Sequence, residues 1–218
     1  MGDSKAQTCM NILAIECSLP QASLCLSCGD SIIFSTSWTT ERNHDSFLFP
    51  ALREALDRLG ESSLQVILVG AGPGSYGGVR VALAAAVGIS TVTGAEIAAL
   101  CSWEQFSDDS SIIISDARRG GWTVRRHDGS IEVVNTDELL SIAQSGLKLR
   151  TIENVETMVK HGITAEETEL VPSAEGLIKT WLHMDDERRA AAIKAPAEPI
   201  YVRPPHITKA LHKPWEIR

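Results

Sequence analysis

The sequence has no excess of positive charge. Its 218 residues include 20 lysines and arginines against 28 aspartates and glutamates, which gives a formal net charge of -8. A protein that binds a phosphate backbone unaided needs a basic surface. The charge balance therefore argues against direct binding of nucleic acid. If a nucleic acid is the substrate, we expect another subunit to hold it.

Long hydrophobic runs are also missing. No window approaches the roughly 18 uninterrupted apolar residues of a membrane span, and residues 1–10 lack the pattern of a secretory signal. Cysteines are few and odd in number, at positions 9, 17, 25, 28 and 101. These absences predict a cytoplasmic protein with reduced thiols instead of a disulfide framework, and no membrane partner.

Motifs for metal binding or nucleophilic catalysis are absent as well. His44 would begin a helix, but Leu48 stands one turn later, so no H-x-x-x-H pair forms. Cys25 and Cys28 match C-x-x-C, yet residues three apart on a strand face opposite sides. Ser75 lacks the preceding glycine that G-x-S-x-G requires. We therefore predict no metal ligands and no catalytic residues.

The patterns that are present predict an α/β protein. Three short runs over residues 11–38, separated by turns, predict an antiparallel meander. A helix over 43–60, a buried strand over 64–70 and a second helix over about 76–91 follow. The order β-β-β-α-β-α is typical of a ribonuclease-H-like lobe, whereas a dinucleotide-binding unit would alternate from its start.

Part of this pattern returns after residue 100. Three further strands and a capped helix from Thr136 predict a smaller β-β-β-α lobe with a helical tail near 173–194. We therefore predict an N-terminal lobe over 1–100 and a smaller C-terminal lobe over 101–218, packed directly on each other.

A glycine-rich run separates the fourth strand from the second helix. Residues 72–77 match G-x-G-x-x-G, and Glu96 lies where a ribose ligand would be expected. A dinucleotide site is disfavoured because the preceding strand is not the first of its lobe and because Pro73 lacks an N–H. Glu96 also lies in an alanine-rich context. A Walker A loop is excluded, since Arg80 is the first basic residue after the loop.

The second helix has almost no polar face. Arg80 is its one charged residue, and Gly77, Ala84 and Gly88 form a stripe of small residues. Since a helix without a polar face is buried all round, one side would pack on its own sheet and the small side would admit another helix. That helix could belong to this chain or to another. An intermolecular contact is favoured because so short a chain leaves little mass to cover a second face.

Several segments together resemble one family. They are ILAIECS at 12–18 (usually I-L-A-I-D-T-S), His44 with Pro50 (H-x-x-x-x-x-P), GPGSYGGVR at 72–80 (G-P-G-S-F-T-G-[LV]-R), DAR at 116–118, and EPIYVR at 198–203 (E-P-x-Y-[LV]-R). In order and over nearly the whole chain, the sequence resembles the TsaB (YeaZ) family. It departs from that family at Glu16, Cys17 and Gly77, which replace Asp, Thr and Thr.

The resemblance implies two ribonuclease-H-like lobes of the actin, DnaK and sugar-kinase superfamily, with the second lobe reduced. It implies a non-catalytic scaffold subunit in the synthesis of N6-threonylcarbamoyladenosine in tRNA. Such a subunit binds a TsaD-like catalytic paralogue and a TsaE-like ATPase, and meets tRNA only indirectly. No cofactor is expected, with ATP or ADP only at a partner interface.

Two sets of residues follow from this interpretation. The partner surface is expected on the two helices of the first lobe, and the isolated chain is expected to bury the same face in a homodimer. Its residues are Leu48, Leu52, Gly77, Arg80, Ala84 and Gly88. The alternative is an ATPase or kinase of the same superfamily, with phosphate contacts from Glu16, Gly72, Gly74 and Ser75.

Overall fold

The computed structural model describes residues 9–108, 110–144 and 146–202. Within these ranges the chain forms nine strands and six α-helices, arranged on two sheets. The first lobe contains β1 (Asn11–Glu16), β2 (Gln21–Cys28), β3 (Ser31–Thr39), α1 (His44–Leu59), β4 (Val66–Gly70), α2 (Tyr76–Thr93) and β5 (Glu96–Leu100). The second half contains β6 (Ser111–Asp116), β7 (Gly121–Arg125), β8 (Ile131–Asn135), α3 (Thr136–Gln144), β9 (Lys148–Thr151), α4 (Val155–Lys160), α5 (Ala174–His183) and α6 (Asp186–Lys194).

The first sheet has the strand order β3-β2-β1-β4-β5. Strands β1, β2 and β3 form the predicted antiparallel meander, while β4 and β5 run parallel to β1. Strand β5 was not predicted, because its sequence EIAAL is short and rich in alanine. The sheet thus has the central parallel strands and antiparallel flank of a ribonuclease-H-like lobe.

The second sheet has the order β8-β7-β6-β9, which repeats the first four positions of the first sheet. Strand β9 pairs in parallel with β6, as β4 does with β1. Strand β9 and helix α4 were not predicted, because both are short and carry alternating charged residues. The predicted fold is confirmed: two ribonuclease-H-like lobes, of which the second is reduced.

Both faces of the first sheet are covered. Helices α1 and α2 pack on one face around Leu13, Ile15 and Ile67, which are fully buried. On the other face α5 packs through Leu177 and Trp181 against the alternate residues of β1 and β4. The predicted helical tail therefore lies against the first sheet, because that sheet presents a second apolar face that the second lobe does not cover.

The cysteines depart in part from expectation. Cys9 and Cys28 form a disulfide, so the prediction of reduced thiols is wrong for this pair, while the other three are free. The disulfide is possible because β1 and β2 are antiparallel neighbours, so that residues distant in sequence meet at their ends. Cys25 is fully buried in the core, which confirms that Cys25 and Cys28 do not act as one motif.

Candidate functional site

A cleft of about 670 Å³ lies between the two lobes. Corresponding segments of the two sheets form its sides, because the loops that follow β1 and β6 both open into it. Gly74 and Ser75, which precede α2, line the first side, and Asp116 and Arg118 line the second. The cleft therefore lies where the carboxyl ends of the central strands of both sheets meet.

The glycine-rich loop packs closely on the loop after β1. A Cβ on Gly74 would lie 2.2 Å from the carbonyl oxygen of Ser18, and one on Gly78 would lie 2.0 Å from that of Cys17. The Ser75 backbone N–H donates to the Ser18 carbonyl at 2.6 Å, and its hydroxyl accepts from the Gly78 N–H at 3.2 Å. These glycines thus allow two backbones to approach each other, and Ser75 caps α2.

Gly72 is held from both sides by Ser102. The Gly72 N–H donates to the Ser102 hydroxyl at 3.1 Å, and the Gly72 carbonyl accepts from the Ser102 N–H at 2.9 Å. Its backbone groups are therefore engaged within the protein. Of the three loop residues expected to contact phosphate, Gly74 and Ser75 line the cleft, whereas Gly72 is buried beneath it.

Glu16 ends β1 but does not line the cleft. Its side chain is fully buried, and Oε1 accepts from the Ser18 N–H at 2.7 Å. Burial raises the pKa of the Glu16 carboxyl above its usual 4.5, although hydrogen bonds from Ser18 and Ser102 oppose the shift. Because Ser18, Gly70 and Ser102 lie against its carboxyl, Glu16 cannot reach a ligand in the cleft without a rearrangement.

We expect Glu16→Gln to stabilise the protein increasingly as the pH rises above about 4.5, the unfolded value. A carboxyl with a raised folded-state pKa favours the folded state at low pH, and this contribution is lost as the pH rises through the folded pKa. The amide keeps the Ser18 contact without the buried charge. Urea unfolding of both proteins between pH 4 and 8 measures the difference, and a difference that does not change with pH would contradict the assignment.

The D-A-R turn faces the cleft from the second lobe. The Arg118 N–H donates to Asp116 Oδ1 at 2.6 Å, with Arg118 and Arg119 in the left-handed region at φ 62° and 55°. Glu153 Oε1 accepts from the Asp116 N–H at 3.0 Å and from the Ser115 hydroxyl at 2.8 Å. This turn therefore forms part of the cleft wall, with Asp116 and Arg118 both lining it.

The closing motif crosses the mouth of the cleft. The Ile200 N–H donates to the Ala71 carbonyl at 2.8 Å, and the Tyr201 ring stacks on Tyr76 with centroids 5.4 Å apart. The Arg80 guanidinium also lies over the Tyr76 ring, 4.9 Å from its centroid, and donates to the Tyr76 hydroxyl at 2.8 Å. Arg203, the last residue of this motif, lies outside the described residues.

His44 is a packing residue in this structure. It is 4 % exposed, and its Nδ1 accepts from the Trp38 indole N–H at 3.4 Å. Burial lowers the pKa of its imidazole, which favours the neutral form that can accept this bond. Among residues 9–108, 110–144 and 146–202, no group of three or more His, Cys, Asp or Glu side chains could hold a metal ion.

A second candidate site is the outer face of α1 and α2. Its groove, about 530 Å³ in volume, is lined by Phe49, Leu52, Ala84 and Gly88 among others. Together with Val87, which is 51 % exposed, these residues are here named the α1–α2 surface. Around them the helices expose apolar and small side chains to solvent, so the face lacks a covering partner within the described part of the chain.

The structure places most of the expected partner residues on or beside this surface. Gly77, Arg80, Ala84 and Gly88 are exposed on α2, and Leu52 lines the groove although little of it is accessible. Leu48 is different: it is fully buried in the first core. The expectation that Leu48 belongs to the partner surface is therefore wrong, because this part of α1 packs its side chain against the first sheet.

Sequence reasoning missed the bulky members of this face. Phe49 and Val87 are 55 % and 51 % exposed, and a test of which apolar residues fall on the solvent side of each helix would have found them. By length and composition α2 is apolar enough to cross a membrane. Its inner residues nevertheless belong to the first core, so the helix is apolar both where it packs on the sheet and where it is exposed.

Comparisons with known proteins agree with this fold. The model of the family described as TsaD, tRNA N6-adenosine threonylcarbamoyltransferase, matches residues 38–165. The structure of YeaZ from Pseudomonas aeruginosa is similar at 21 % identity, with a TM-score of 0.69 over 88 % of this chain and 99 % of that one. The structure of an uncharacterized Pseudomonas aeruginosa protein with similarity to the peptidase YeaZ has a TM-score of 0.68 at 21 % identity. The match covers 89 % of this chain and 100 % of that one.

Proposed function

Since this chain belongs to the TsaD family of tRNA N6-adenosine threonylcarbamoyltransferases, we propose that it serves tRNA modification as a non-catalytic partner subunit. Its identification from sequence motifs as a TsaB (YeaZ) member is confirmed. The proposed partner is a TsaD-like catalytic paralogue that docks on the α1–α2 surface. A TsaE-like ATPase would join the pair in the cytoplasm, and tRNA would be held mainly by the other subunits.

The α1–α2 surface is the observation that carries this proposal. A helix whose inner side is core and whose outer side exposes Ala84, Val87 and Gly88 leaves an apolar face in water. Small residues let a second helix approach closely, and the groove beside Phe49 and Leu52 can receive larger side chains. An exposed apolar patch of this kind supports the proposal of a protein interface. In the absence of the paralogue we propose that two copies of this chain bury the same face.

The chemistry of the chain favours the non-catalytic role. At the start of α1, His44 is buried and Leu48 stands one turn later in the core, so these positions cannot form the metal-binding pair of the catalytic paralogue. Glu16, the residue placed to meet a nucleotide-bound metal, is buried away from the cleft. The ATPase or kinase alternative therefore loses Glu16, the carboxylate that it would use beside a nucleotide-bound metal.

Reconstitution tests the role directly. Purified TsaD-like paralogue and TsaE-like ATPase from the same organism are assayed for threonylcarbamoyladenosine in tRNA, with and without this chain. We expect modification to require this chain and to rise in proportion to it up to one equivalent of the paralogue. Equal modification in its absence would contradict the proposal, as would modification by this chain without the paralogue.

We expect the isolated chain to bind ATP and magnesium weakly and without turnover, because Gly72 and Glu16 are engaged inside the fold. Isothermal titration calorimetry should give no saturable heat below millimolar nucleotide. Micromolar binding that is lost in Glu16→Gln would instead favour the ATPase or kinase. Because Glu16→Gln keeps the Ser18 hydrogen bond, loss of binding in this variant would report the missing charge and not an unfolded loop.

A further inference from the structure

Two cysteines lie together at the end of the first sheet opposite the cleft. Asn11, at the start of β1, pairs with Cys28, at the end of β2, and the Gly29 N–H donates to the Met10 carbonyl at 2.8 Å. This register continues the antiparallel pairing just beyond β1 and brings Cys9 beside Cys28. The Cα atoms are 5.4 Å apart, within the usual range for a disulfide.

These two cysteines are also the accessible ones of their sheet. Cys9 is exposed and Cys28 is half-buried, while Cys17 and Cys25 are fully buried in the core. Burial raises the pKa of the Cys17 and Cys25 thiols, which suppresses the thiolate that exchanges with disulfides. Cys101, half-buried in another part of the fold, has no cysteine partner. Geometry and access therefore single out one pair among five thiols.

We propose that Cys9 and Cys28 are a reversible dithiol–disulfide pair that exchanges with low-molecular-weight disulfides and fastens the chain at Cys9 to the end of β2. The thiolate of Cys9 attacks the small disulfide and releases one small thiol, leaving a mixed disulfide. The thiolate of Cys28 then attacks the Cys9 sulfur and releases the second small thiol. Two protein thiols are oxidised, one small disulfide is reduced, and their protons pass to the released thiolates.

The consequence is a redox-dependent stability of the first lobe. The bond closes a loop of 19 residues in sequence separation, which spans β1, the turn and β2. Closing a loop of this length restricts the unfolded chain. For a chain of this size we expect the melting temperature to be about 5–10 °C higher in the oxidised form. The cleft and the α1–α2 surface lie elsewhere, so binding of the paralogue is not part of this effect.

The full chain is incubated with oxidised glutathione or with dithiothreitol, quenched in acid, denatured and alkylated. Mass spectrometry should find five alkylated cysteines after reduction and three after oxidation, with a peptide linking Cys9 to Cys28. Thermal melting should show the shift in the wild type and in Cys101→Ser, and no shift in Cys9→Ser or Cys28→Ser. Five alkylated cysteines after oxidation, a glutathione adduct as the end product, or the same shift in Cys9→Ser would each overturn the proposal.

Discussion

Gly88→Arg is expected to reduce the affinity for the TsaD-like paralogue by at least about 100-fold. The residue lies exposed in the middle of the α1–α2 surface, and a Cβ built on it meets nothing within 4 Å. The variant should therefore fold normally. In the complex, however, a long cation would stand in an apolar helix contact, and an unpaired buried charge costs about 3–5 kcal/mol. Since about 1.4 kcal/mol is a tenfold change in affinity, this penalty corresponds to a loss of at least about 100-fold.

The measurement is surface plasmon resonance against the paralogue, together with sedimentation of the isolated chain. Ala84→Glu lies one turn earlier on the same exposed side. Like Gly88→Arg, it should weaken both the binding of the paralogue and the self-association of the isolated chain. Ser141→Arg adds the same charge to an exposed position of α3 in the second lobe, and it should bind like the wild type. If all three variants bind the paralogue with wild-type affinity, the paralogue binds elsewhere and the proposed surface is wrong.

The antiparallel meander of the first lobe, and the helix and strand that follow it, could be predicted from local pattern. Alternating and continuous apolar runs mark β1 to β4, and tight turns force the first three into neighbouring antiparallel positions. Strands β5 and β9 could not be predicted in this way. Their sequences are short, and each becomes a strand because an exposed edge of β4 or β6 offers hydrogen bonds in parallel. Tertiary pairing, and not propensity, decides these two elements.

In the candidate site, too, some features could be predicted from the sequence and others could not. Composition indicated that α2 has a stripe of small residues, and its exposed Ala84 and Gly88 agree with that interpretation. The orientation of Leu48 and the burial of Glu16 could not be obtained from spacing. Leu48 faces inward because α1 packs on the sheet, and Glu16 is covered because Ser18, Gly70 and Ser102 lie against its carboxyl. Both depend on how distant segments pack.

Gly78→Ala is expected to lower the free energy of unfolding by about 3 kcal/mol or more. Its Cβ would lie 2.0 Å from the Cys17 carbonyl oxygen and 3.3 Å from His44 Nε2. The first of these is a backbone atom, which cannot move aside without shifting β1 or α2. Forcing extra volume into a packed contact typically costs about 1–3 kcal/mol, and more where the backbone must shift. The melting temperature should fall by roughly 6–12 °C.

Gly77→Ala is the matched control, since the same methyl group is added one residue earlier. Gly77 is exposed, and a Cβ there meets nothing within 4 Å. Alanine favours helix over glycine by up to about 1 kcal/mol, so this variant should be as stable as the wild type or slightly more so.

The two variants also separate stability from recognition. Gly78 lies on the buried side of α2, whereas Gly77 is exposed toward the proposed partner, so only Gly77→Ala should weaken pairing without unfolding the chain. Equal stability of the two variants in urea would mean that α2 does not rest on the loop after β1, and the close backbone contact argued for the glycine-rich loop would be wrong.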